Sequence, residues 1–440
     1  MTSNVPVDLK VKHWLNAQIS IAPLVSFRIL FGLLMIFSIA RFYSNNWIEE
    51  LYILPKVHFS YFHLDFIQSL PNNGMYWIFA LMGLSAVAIA LGLFYRVATI
   101  LFFILFTYVE LIDKATYLNH YYFVSLIAFL LILVPANRAF SLDTKFGFVS
   151  PLKTVPRWTI FIFQLQLAAV YFFAGLAKLH PDWWLRAMPM SIWLPARQSF
   201  PLIGPLFNLK ATAYVFSFFG LFYDLLIPIF LWWKKARPFA YVAVIVFHLM
   251  TWALFQIGVF PWVMIACTLI FFSGKWHEKF IPLQAKSNLL WNKSFKTIII
   301  PFFILQVFLP LRFLMFDSDL YWKEQGYRFS WRVMLMEKAG SITFYIENMD
   351  TNKKSIFNHQ DHLTQLQETQ MSTQPDMILQ MAKYIEQECT KAGLTNVAVY
   401  AESYVTLNGS GSKPFTKKDI NLLSLKNGSF NRNWIHDWED

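Results

Sequence analysis

The sequence predicts an α-helical polytopic membrane protein of about nine transmembrane helices, with a small C-terminal α+β extracytoplasmic domain. Of its 440 residues, 56% are hydrophobic and 14% are charged, whereas soluble domains are about 45–50% apolar and about 25% charged. The apolar residues gather in runs close to the ~20 residues that a helix needs to cross the ~30 Å hydrocarbon core of a bilayer. After Phe316 the composition becomes that of an ordinary soluble domain.

Nine apolar segments are predicted to span the membrane. Several are shorter than ~20 residues, so we expect the third and fourth, and the seventh and eighth, to form hairpins whose ends are buried in protein. The spans cover 20–41, 76–95, 97–112, 120–135, 158–178, 212–233, 239–256, 259–273 and 297–316. They divide the chain into an N-terminal segment (1–19), a transmembrane domain (20–316) and an extracytoplasmic domain (317–440).

Basic residues between the spans predict the orientation of the chain. They are concentrated in alternate loops that begin with the N-terminus, such as the loop that contains Lys234, Lys235 and Arg237. Because cytoplasmic loops carry an excess of Lys and Arg, we expect the N-terminus in the cytoplasm and the C-terminal domain on the opposite face of a bacterial inner membrane. Residues 1–19 lack the apolar core and cleavage site of a signal peptide, so the first span is expected to act as the insertion signal.

Composition and motifs argue against several classes of protein. The two cysteines, Cys267 and Cys389, lie in an apolar run and a polar tail, and they imply no disulfide framework. The net charge of +11 follows the predicted cytoplasmic loops, where anionic lipid explains it better than nucleic acid does. The sequence contains no GxGxxG, Walker, HExxH or CxxC motif, so neither a nucleotide fold nor a metal site is predicted.

Several segments outside the spans also have informative patterns. Residues 179–210 mix Trp, Pro and Arg and are too broken for a spanning helix, which indicates an interfacial or re-entrant lid. In the C-terminal domain, 332–337 and 341–347 alternate like paired strands, and 396–406 alternates like a third strand. Helical spacing is present at 377–392.

Ionisable and amide side chains inside or at the ends of the spans are candidate functional residues, because such groups are costly in lipid. By the predicted topology, four of them on separate segments lie at the outer ends of their helices: Asp113, His120, Lys178 and Gln256. This common depth indicates a shared pocket that faces the C-terminal domain. Taken singly, a lysine at a helix end is more often a snorkelling anchor, and Arg28 could form a structural ion pair with Asp224.

Four motifs follow one another along the chain. They are LIDKATYLNHYYFVSLIAFLLILVPAN at 111–137, YFFAGLAKLHPDWW at 171–184, FHLMTWALFQIGVFPWVMIA at 247–266 and GYRFSWRVML at 326–335. In this order they resemble the vitamin K-dependent γ-glutamyl carboxylases and their bacterial relatives with the horizontally transferred transmembrane (HTTM) domain. Four ordered motifs are far more specific than any one of them alone.

The resemblance implies an enzyme that couples the oxidation of vitamin K hydroquinone (or menaquinol) by O2 to its epoxide with the carboxylation of protein glutamate to γ-carboxyglutamate. It implies that Lys178 is the catalytic lysine and that His120 acts with it. The expected substrate-binding residues are Asn119, Tyr122, His248, Gln256 and Asp113. The co-substrates are then the naphthoquinol, O2 and CO2 without a metal, and the partners are a glutamate-containing protein or peptide and membrane lipid.

The chemistry of this reaction suits these residue types. A base for a hydroquinone must be uncharged, and burial of an amine at an apolar helix end favours its uncharged form. Asn119 and His120 could hydrogen-bond the quinone oxygens and stabilise developing negative charge.

Other functions stay open on the sequence. One is a quinol epoxidase without efficient carboxylation. Another is a non-enzymatic membrane transporter, which would continue its polar positions to the cytoplasmic side. A third is a quinone-binding electron-transfer subunit, which would normally carry paired His or Cys clusters for a redox centre, and the spans contain none.

Overall fold

Helices dominate the computed structural model of the chain, which describes residues 7–255, 257–283, 295–425 and 430–438. The longer helices are α1 (Val7–Asn16), α2 (Ala22–Ser44), α3 (Gly74–Leu91), α4 (Tyr95–Ile112), α5 (Asn119–Ile132), α6 (Trp158–Ala177), α7 (Lys210–Trp232), α8 (Arg237–Phe255), α9 (Phe260–Thr268), α10 (Lys296–Leu311), α11 (Gln365–Met371) and α12 (Pro375–Lys391). Single helical turns include Pro181–Trp184 and Met190–Trp193. The strands are β1 (Gln18–Ser20), β2 (Thr154–Pro156), β3 (Lys338–Asn348), β4 (Lys353–Phe357), β5 (Val397–Leu407) and β6 (Lys413–Pro414).

Each of the nine predicted spans contains a helix, which confirms the prediction of a polytopic helical membrane protein. Within the described part of the chain, seven helices are long and apolar enough to cross a membrane: α2, α3, α4, α6, α7, α8 and α10. The other two, α5 and α9, are shorter apolar helices of 14 and 9 residues. They correspond to the fourth and eighth segments of the sequence, which are among the short ones.

A tight turn joins α3 to α4. Gly92 ends α3 with a φ of 64°, a left-handed conformation that glycine adopts without strain. The carboxylate of Asp143 accepts hydrogen bonds from the backbone N–H groups of Phe94 and Tyr95, at 2.7 and 3.1 Å. Because the first N–H groups of a helix have no partner within the helix, this carboxylate completes the start of α4 and fixes the loop after α5 against the turn.

Arg28 anchors α2 to the loop that follows α5. Its fully buried guanidinium donates to the backbone carbonyls of Ala136 at 2.9 Å and Phe140 at 2.7 Å. Two further carbonyls accept from it at 3.4 Å. The alternative in which Arg28 pairs with Asp224 is therefore wrong, because the guanidinium binds carbonyls and Asp224 has a lysine partner.

The C-terminal domain contains an antiparallel sheet in the order β4-β3-β5-β6, and α12 packs against it. Strands β3 and β5 pair along their full length, with Phe344 opposite Ala401. The residues Ile378, Met381 and Ile385 of α12 are fully buried. The predicted helix at 377–392 and the predicted strands at 341–347 and 396–406 are confirmed by α12, β3 and β5.

The predicted strand at 332–337 is wrong. This segment pairs with no strand, because Trp331 and Met334 have φ of 60° and 54°, which interrupts an extended backbone. The partners of β3 are β4 and β5 instead. The apolar alternation has another cause, since Leu335 is 1% exposed and the segment is packed between the helices and the sheet.

The lid (residues 179–210) packs as short helical turns between the helices and the C-terminal domain. Its Trp183 and Phe207 side chains are buried. The indole Nε1 of Trp193 donates to the carboxylate of Glu337 at 2.5 Å. The segment is thus neither a spanning helix nor a free loop, as its composition predicts.

An ion cluster ties the C-terminal domain to the loop after α4. Nζ of Lys114 and Nη1 of Arg328 lie 2.7 and 2.8 Å from Oδ2 of Asp376. Burial raises the pKa of the Asp376 carboxyl, but the Arg328 and Lys114 cations lower this pKa by more, so the net shift is downward. Since Asp376 stays ionised into the acidic range, the cluster holds the first turn of α12 against the helices over a wide range of pH.

We expect Arg28→Gln to destabilise the helical part, because each buried carbonyl left without a donor costs about 1–3 kcal/mol. The melting temperature of the purified protein in detergent should fall by roughly 5 °C or more. Arg138→Gln is the matched control, since Arg138 makes an exposed contact with the Ser150 carbonyl. A similar fall for both variants would contradict the anchoring role of Arg28.

Candidate active site

Two adjoining cavities lie between the helix ends and the C-terminal domain. The larger, here the polar chamber, has a volume of about 1210 Å³, and the smaller, the apolar cavity, has a volume of about 110 Å³. The charged and polar lining of the chamber includes Arg41, Lys114, Asn119, His120, Arg197, Glu324, Arg328 and Arg332. A shared wall lines both cavities and consists of Phe255, Ile257, Phe260, Val333 and Met334.

Lys178 and Asp224 form an ion pair at the edge of the apolar cavity. Lys178 follows the last residue of α6, and Asp224 lies within α7. Nζ of Lys178 is 2.6 Å from Oδ2 of Asp224, and the two side chains are 7% and 6% exposed. The ring of Trp183 in the lid lies 5.2 Å from the same Nζ. The amine is therefore enclosed in protein and is not a snorkelling anchor.

A close crossing of α6 and α7 brings this pair together. A Cβ atom at Gly175 would lie 2.9 Å from the backbone nitrogen of Leu225, so a larger residue there would push the two helices apart. A Cβ atom at Gly220 would lie 3.4 Å from Trp183 and 3.8 Å from Cε of Lys178. Glycine at position 175 therefore permits the close helix crossing, whereas a Cβ atom at position 220 would only make ordinary van der Waals contact with the lid and the lysine side chain.

His248 of α8 is the second polar group of the apolar cavity. Its Nε2 lies 3.1 Å from the hydroxyl of Tyr171, and its Nδ1 is buried without a hydrogen-bond partner. Apolar and aromatic side chains form most of the remaining lining, among them Phe216, Phe219, Phe247, Met250, Leu254 and Met264. Apolar walls with a few convergent polar groups are typical of a site for a mainly apolar ligand that carries one or two polar atoms.

His120 lies in the first turn of α5 and lines the polar chamber. Its ring stacks on Phe260 with the centroids 5.4 Å apart, and His248 packs edge-on against the same phenyl ring at 6.0 Å. One ring of the shared wall thus contacts an imidazole from each cavity. Two members of the predicted shared pocket therefore line different cavities: Lys178 lines the apolar cavity together with His248, and His120 lines the polar chamber together with Asn119.

Asn119 holds a strained segment, 326–335, that closes both cavities. Its Nδ2 donates to the carbonyl of Arg332 and its Oδ1 accepts from the hydroxyl of Tyr117, both at 3.0 Å. Three non-glycine residues of this segment have φ between 54° and 60°: Phe329, Trp331 and Met334. Each such residue costs about 1–3 kcal/mol, and strain of this kind is concentrated at functional sites.

Two of the predicted site residues, Tyr122 and Asp113, line neither cavity. The hydroxyl of Tyr122 accepts a hydrogen bond from Gln306 at 3.2 Å, and its ring stacks on Trp331 with the centroids 5.0 Å apart. Asp113 is fully buried and accepts from Nε2 of Gln367 at 2.7 Å, so its contacts serve to dock the C-terminal domain. Gln256 lies outside the described residues.

Positive charge predominates in the polar chamber. Glu324 is the one acidic residue among the described residues that line it, and it pairs with Lys338 at 2.7 Å. Arg41, Arg197 and Arg332 add to the cations that already surround Asp376. A net positive lining of this kind attracts an anionic substrate.

The sequence marks Asp224 as a costly charge but not as the partner of Lys178. The predicted spans place Lys178 at a helix end and Asp224 in mid-span, which predicts different depths in the membrane for the two residues. The structure explains the difference, because the beginning of α7 packs against the lid. There Nε1 of Trp183 donates to the carbonyl of Ser217 at 2.8 Å, which leaves Asp224 level with the end of α6.

These features define a polytopic helical membrane protein with a candidate active site where its helices meet a small α+β domain. Residues 16–276 match the HTTM domain, and residues 291–440 match the vitamin K-dependent gamma-carboxylase, lumenal domain. The chain belongs to the vitamin K-dependent γ-carboxylase family, as its four motifs indicate. The two matched domains support a carboxylase-like function. No solved structure matches the chain.

We expect Asp113→Ala to loosen the docking of the C-terminal domain, because the Gln367 amide loses a charged acceptor worth about 1.5–3 kcal/mol. Limited proteolysis between the helices and the C-terminal domain should become roughly tenfold faster, since cleavage follows the population of the open state. Asp419→Ala, at an exposed position within the C-terminal domain, should cleave at the wild-type rate. Wild-type cleavage of Asp113→Ala would contradict the docking role.

Proposed function

We propose that the protein is a vitamin K-dependent γ-carboxylase that oxidises a naphthoquinol to its epoxide with O2 and carboxylates protein glutamate. The observation that carries the proposal is the enclosed Lys178 amine, which lies in an apolar cavity next to a basic chamber. The apolar cavity suits an apolar quinol ring, and the polar chamber suits an acidic peptide. This division matches a reaction that must bring an apolar and an anionic substrate together.

The apolar cavity is the proposed site of the naphthoquinol ring. Its aromatic lining can pack against the ring, and the buried Nδ1 of His248 lacks a partner that a quinol hydroxyl could supply. Phe219 lines this cavity and is also 49% exposed on the outside of the helices. The wall is therefore thin on that side, so a quinol with an isoprenoid tail could enter directly from lipid.

Lys178 is the proposed acceptor of a hydroxyl proton from the quinol. Enclosure by Trp183 and the strained segment 326–335 keeps water away, and exclusion of water protects a strong base from being quenched. The quinol, once bound, supplies the oxygen chemistry, while the protein orients its hydroxyl groups and receives the proton. His120 and Asn119 are proposed to act from the chamber side of Phe260, where donors can stabilise developing negative charge.

The polar chamber is the proposed site of the glutamyl side chain and of CO2. Its cations attract a carboxylate, and its position next to the shared wall places that carboxylate close to the quinol site. Two residues of the shared wall, Val333 and Met334, belong to the strained segment. A small movement of this segment would open a path between the two cavities.

We propose that the C-terminal domain and both cavities lie on the extracytoplasmic face of a bacterial inner membrane, with the N-terminus in the cytoplasm. The basic loops of the opposite end support this orientation. The proposed units are the N-terminal segment 1–19, the transmembrane catalytic domain 20–316 and the extracytoplasmic domain 317–440. The acceptor protein would then be a secreted or membrane-bound protein.

A quinol epoxidase without efficient carboxylation is the second candidate function. The separation of the two cavities by the shared wall supports this second function, because a quinol in the apolar cavity could react with O2 while the polar chamber is empty. An assay that measures epoxide and carboxylated peptide separately distinguishes the two candidates.

We expect Lys178→Ala to lower epoxide formation by about 10²–10⁴-fold, the usual range for loss of a general base. The measurement supplies purified protein with reduced vitamin K, O2, bicarbonate and a glutamate-rich peptide. Lys210→Ala is the matched control, since Lys210 is an exposed lysine at the start of α7. Equal epoxide yields from the two variants would contradict the proposed role of Lys178.

We expect Arg197→Gln to raise the KM for an acidic peptide by roughly threefold to fivefold. The variant loses the ion pair between the Arg197 guanidinium and a peptide carboxylate, and a partly exposed pair of this kind contributes about 0.2–1 kcal/mol. Epoxide formation without peptide should keep its wild-type rate. Arg186→Gln is the control, since Arg186 is a 60% exposed arginine of the same lid. If both variants shift the KM equally, the chamber is not the peptide site.

A further inference from the structure

The Lys178–Asp224 pair has a consequence for how the site takes up a proton. An ionised carboxylate 2.6 Å from the amine favours the charged ammonium form of the lysine. A charged ammonium cannot accept a proton from a quinol hydroxyl. The lysine therefore cannot act as a base while the carboxylate beside it stays ionised and unchanged.

We propose that Asp224 is a positioning residue that takes up a proton from Lys178 and so frees the amine to accept the quinol proton, so that the pair, and not Lys178 alone, is the base. This inference rests on the proposed function. A proton moves from Nζ of Lys178 to Oδ2 of Asp224, which leaves a neutral amine and a neutral carboxylic acid. Nζ then takes the hydroxyl proton of the quinol, and the electron pair of the broken O–H bond stays on the quinol oxygen.

The balance of charge supports this order of events. Before the transfer, the net charge of the ion pair and the neutral quinol is zero. After the transfer, the net charge is again zero, because the ammonium balances the quinol oxygen anion and the carboxylic acid is neutral. An ionised Asp224 beside an uncharged lysine would instead leave one unpaired charge in an apolar site. An isolated buried charge costs several kcal/mol, so the protonation states of the two residues are coupled.

Three other titratable side chains near the pair, Tyr171, Tyr223 and His248, contact one another. The hydroxyl of Tyr171 lies 3.1 Å from Nε2 of His248, and the ring of Tyr223 packs edge-on against Tyr171 with the centroids 5.9 Å apart. The polar contact that the structure gives Asp224 is to Lys178. The carboxylate of Asp224 is therefore the group that can accept a proton from the Lys178 amine.

The test is the pH profile of epoxide formation by Asp224→Asn in the full-length protein. In the wild type the active state is a neutral ion pair, and acid abolishes activity when it protonates Asp224. In the variant the active state requires loss of a proton from Lys178 to water, which needs a higher pH. The midpoint of the acid limb should move up by at least one pH unit, so activity falls about tenfold or more at low pH and recovers at high pH.

Asp224→Glu keeps a carboxylate and should keep the wild-type midpoint, and Asp65→Asn is the surface control. If Asp224→Asn fails to fold, Asp224→Ser is expected to show the same upward shift. A rate that falls equally at every pH would overturn the proposal, because that is the result of a purely structural role. Absence of epoxide from the wild type would overturn the proposed function, and the inference with it, whereas wild-type epoxide with an unshifted variant profile overturns the inference alone.

Discussion

A lysine and an aspartate that lie 2.6 Å apart and out of water constrain much of the structure around them. Either charge alone would be strongly unfavourable in this environment, so each residue depends on the other. The close crossing of α6 and α7 at Gly175 sets their separation. Trp183 covers the pair from the lid, and the lid is in turn held under the C-terminal domain. The ion pair therefore links the helix packing to the arrangement of the domain above it.

The division into two cavities follows from the same arrangement. Phe260 and the strained segment 326–335 separate an apolar compartment, which contains the ion pair, from a compartment rich in cations. An apolar surrounding strengthens electrostatic interactions, whereas an open basic chamber attracts anions from solution. Two substrates of opposite character could thus be held a single side chain apart. The packing of Trp331 and the hydrogen bond from Asn119 hold the segment 326–335 in its strained backbone conformation.

Much of the fold could be predicted from the sequence, because membrane-length apolar runs and basic loops are local signals. The position of Lys178 at a helix end and the helix at 377–392 are of this kind. The pairing of Lys178 with Asp224 could not be predicted, since it depends on how far α7 extends beside the lid. The failed strand at 332–337 has a similar cause. Its apolar alternation comes from burial between two parts of the protein, and its backbone geometry is set by distant contacts such as that of Asn119.

A structure of the protein with reduced vitamin K bound under anaerobic conditions would show whether the Lys178–Asp224 pair acts on the quinol. We expect the quinol ring to lie in the apolar cavity, with one ring oxygen at hydrogen-bond distance, about 3 Å, from Nζ of Lys178. We also expect the isoprenoid tail to leave between α7 and α8 beside Phe219. A ring bound in the polar chamber, or on the lipid-facing surface away from the Lys178–Asp224 pair, would contradict the account.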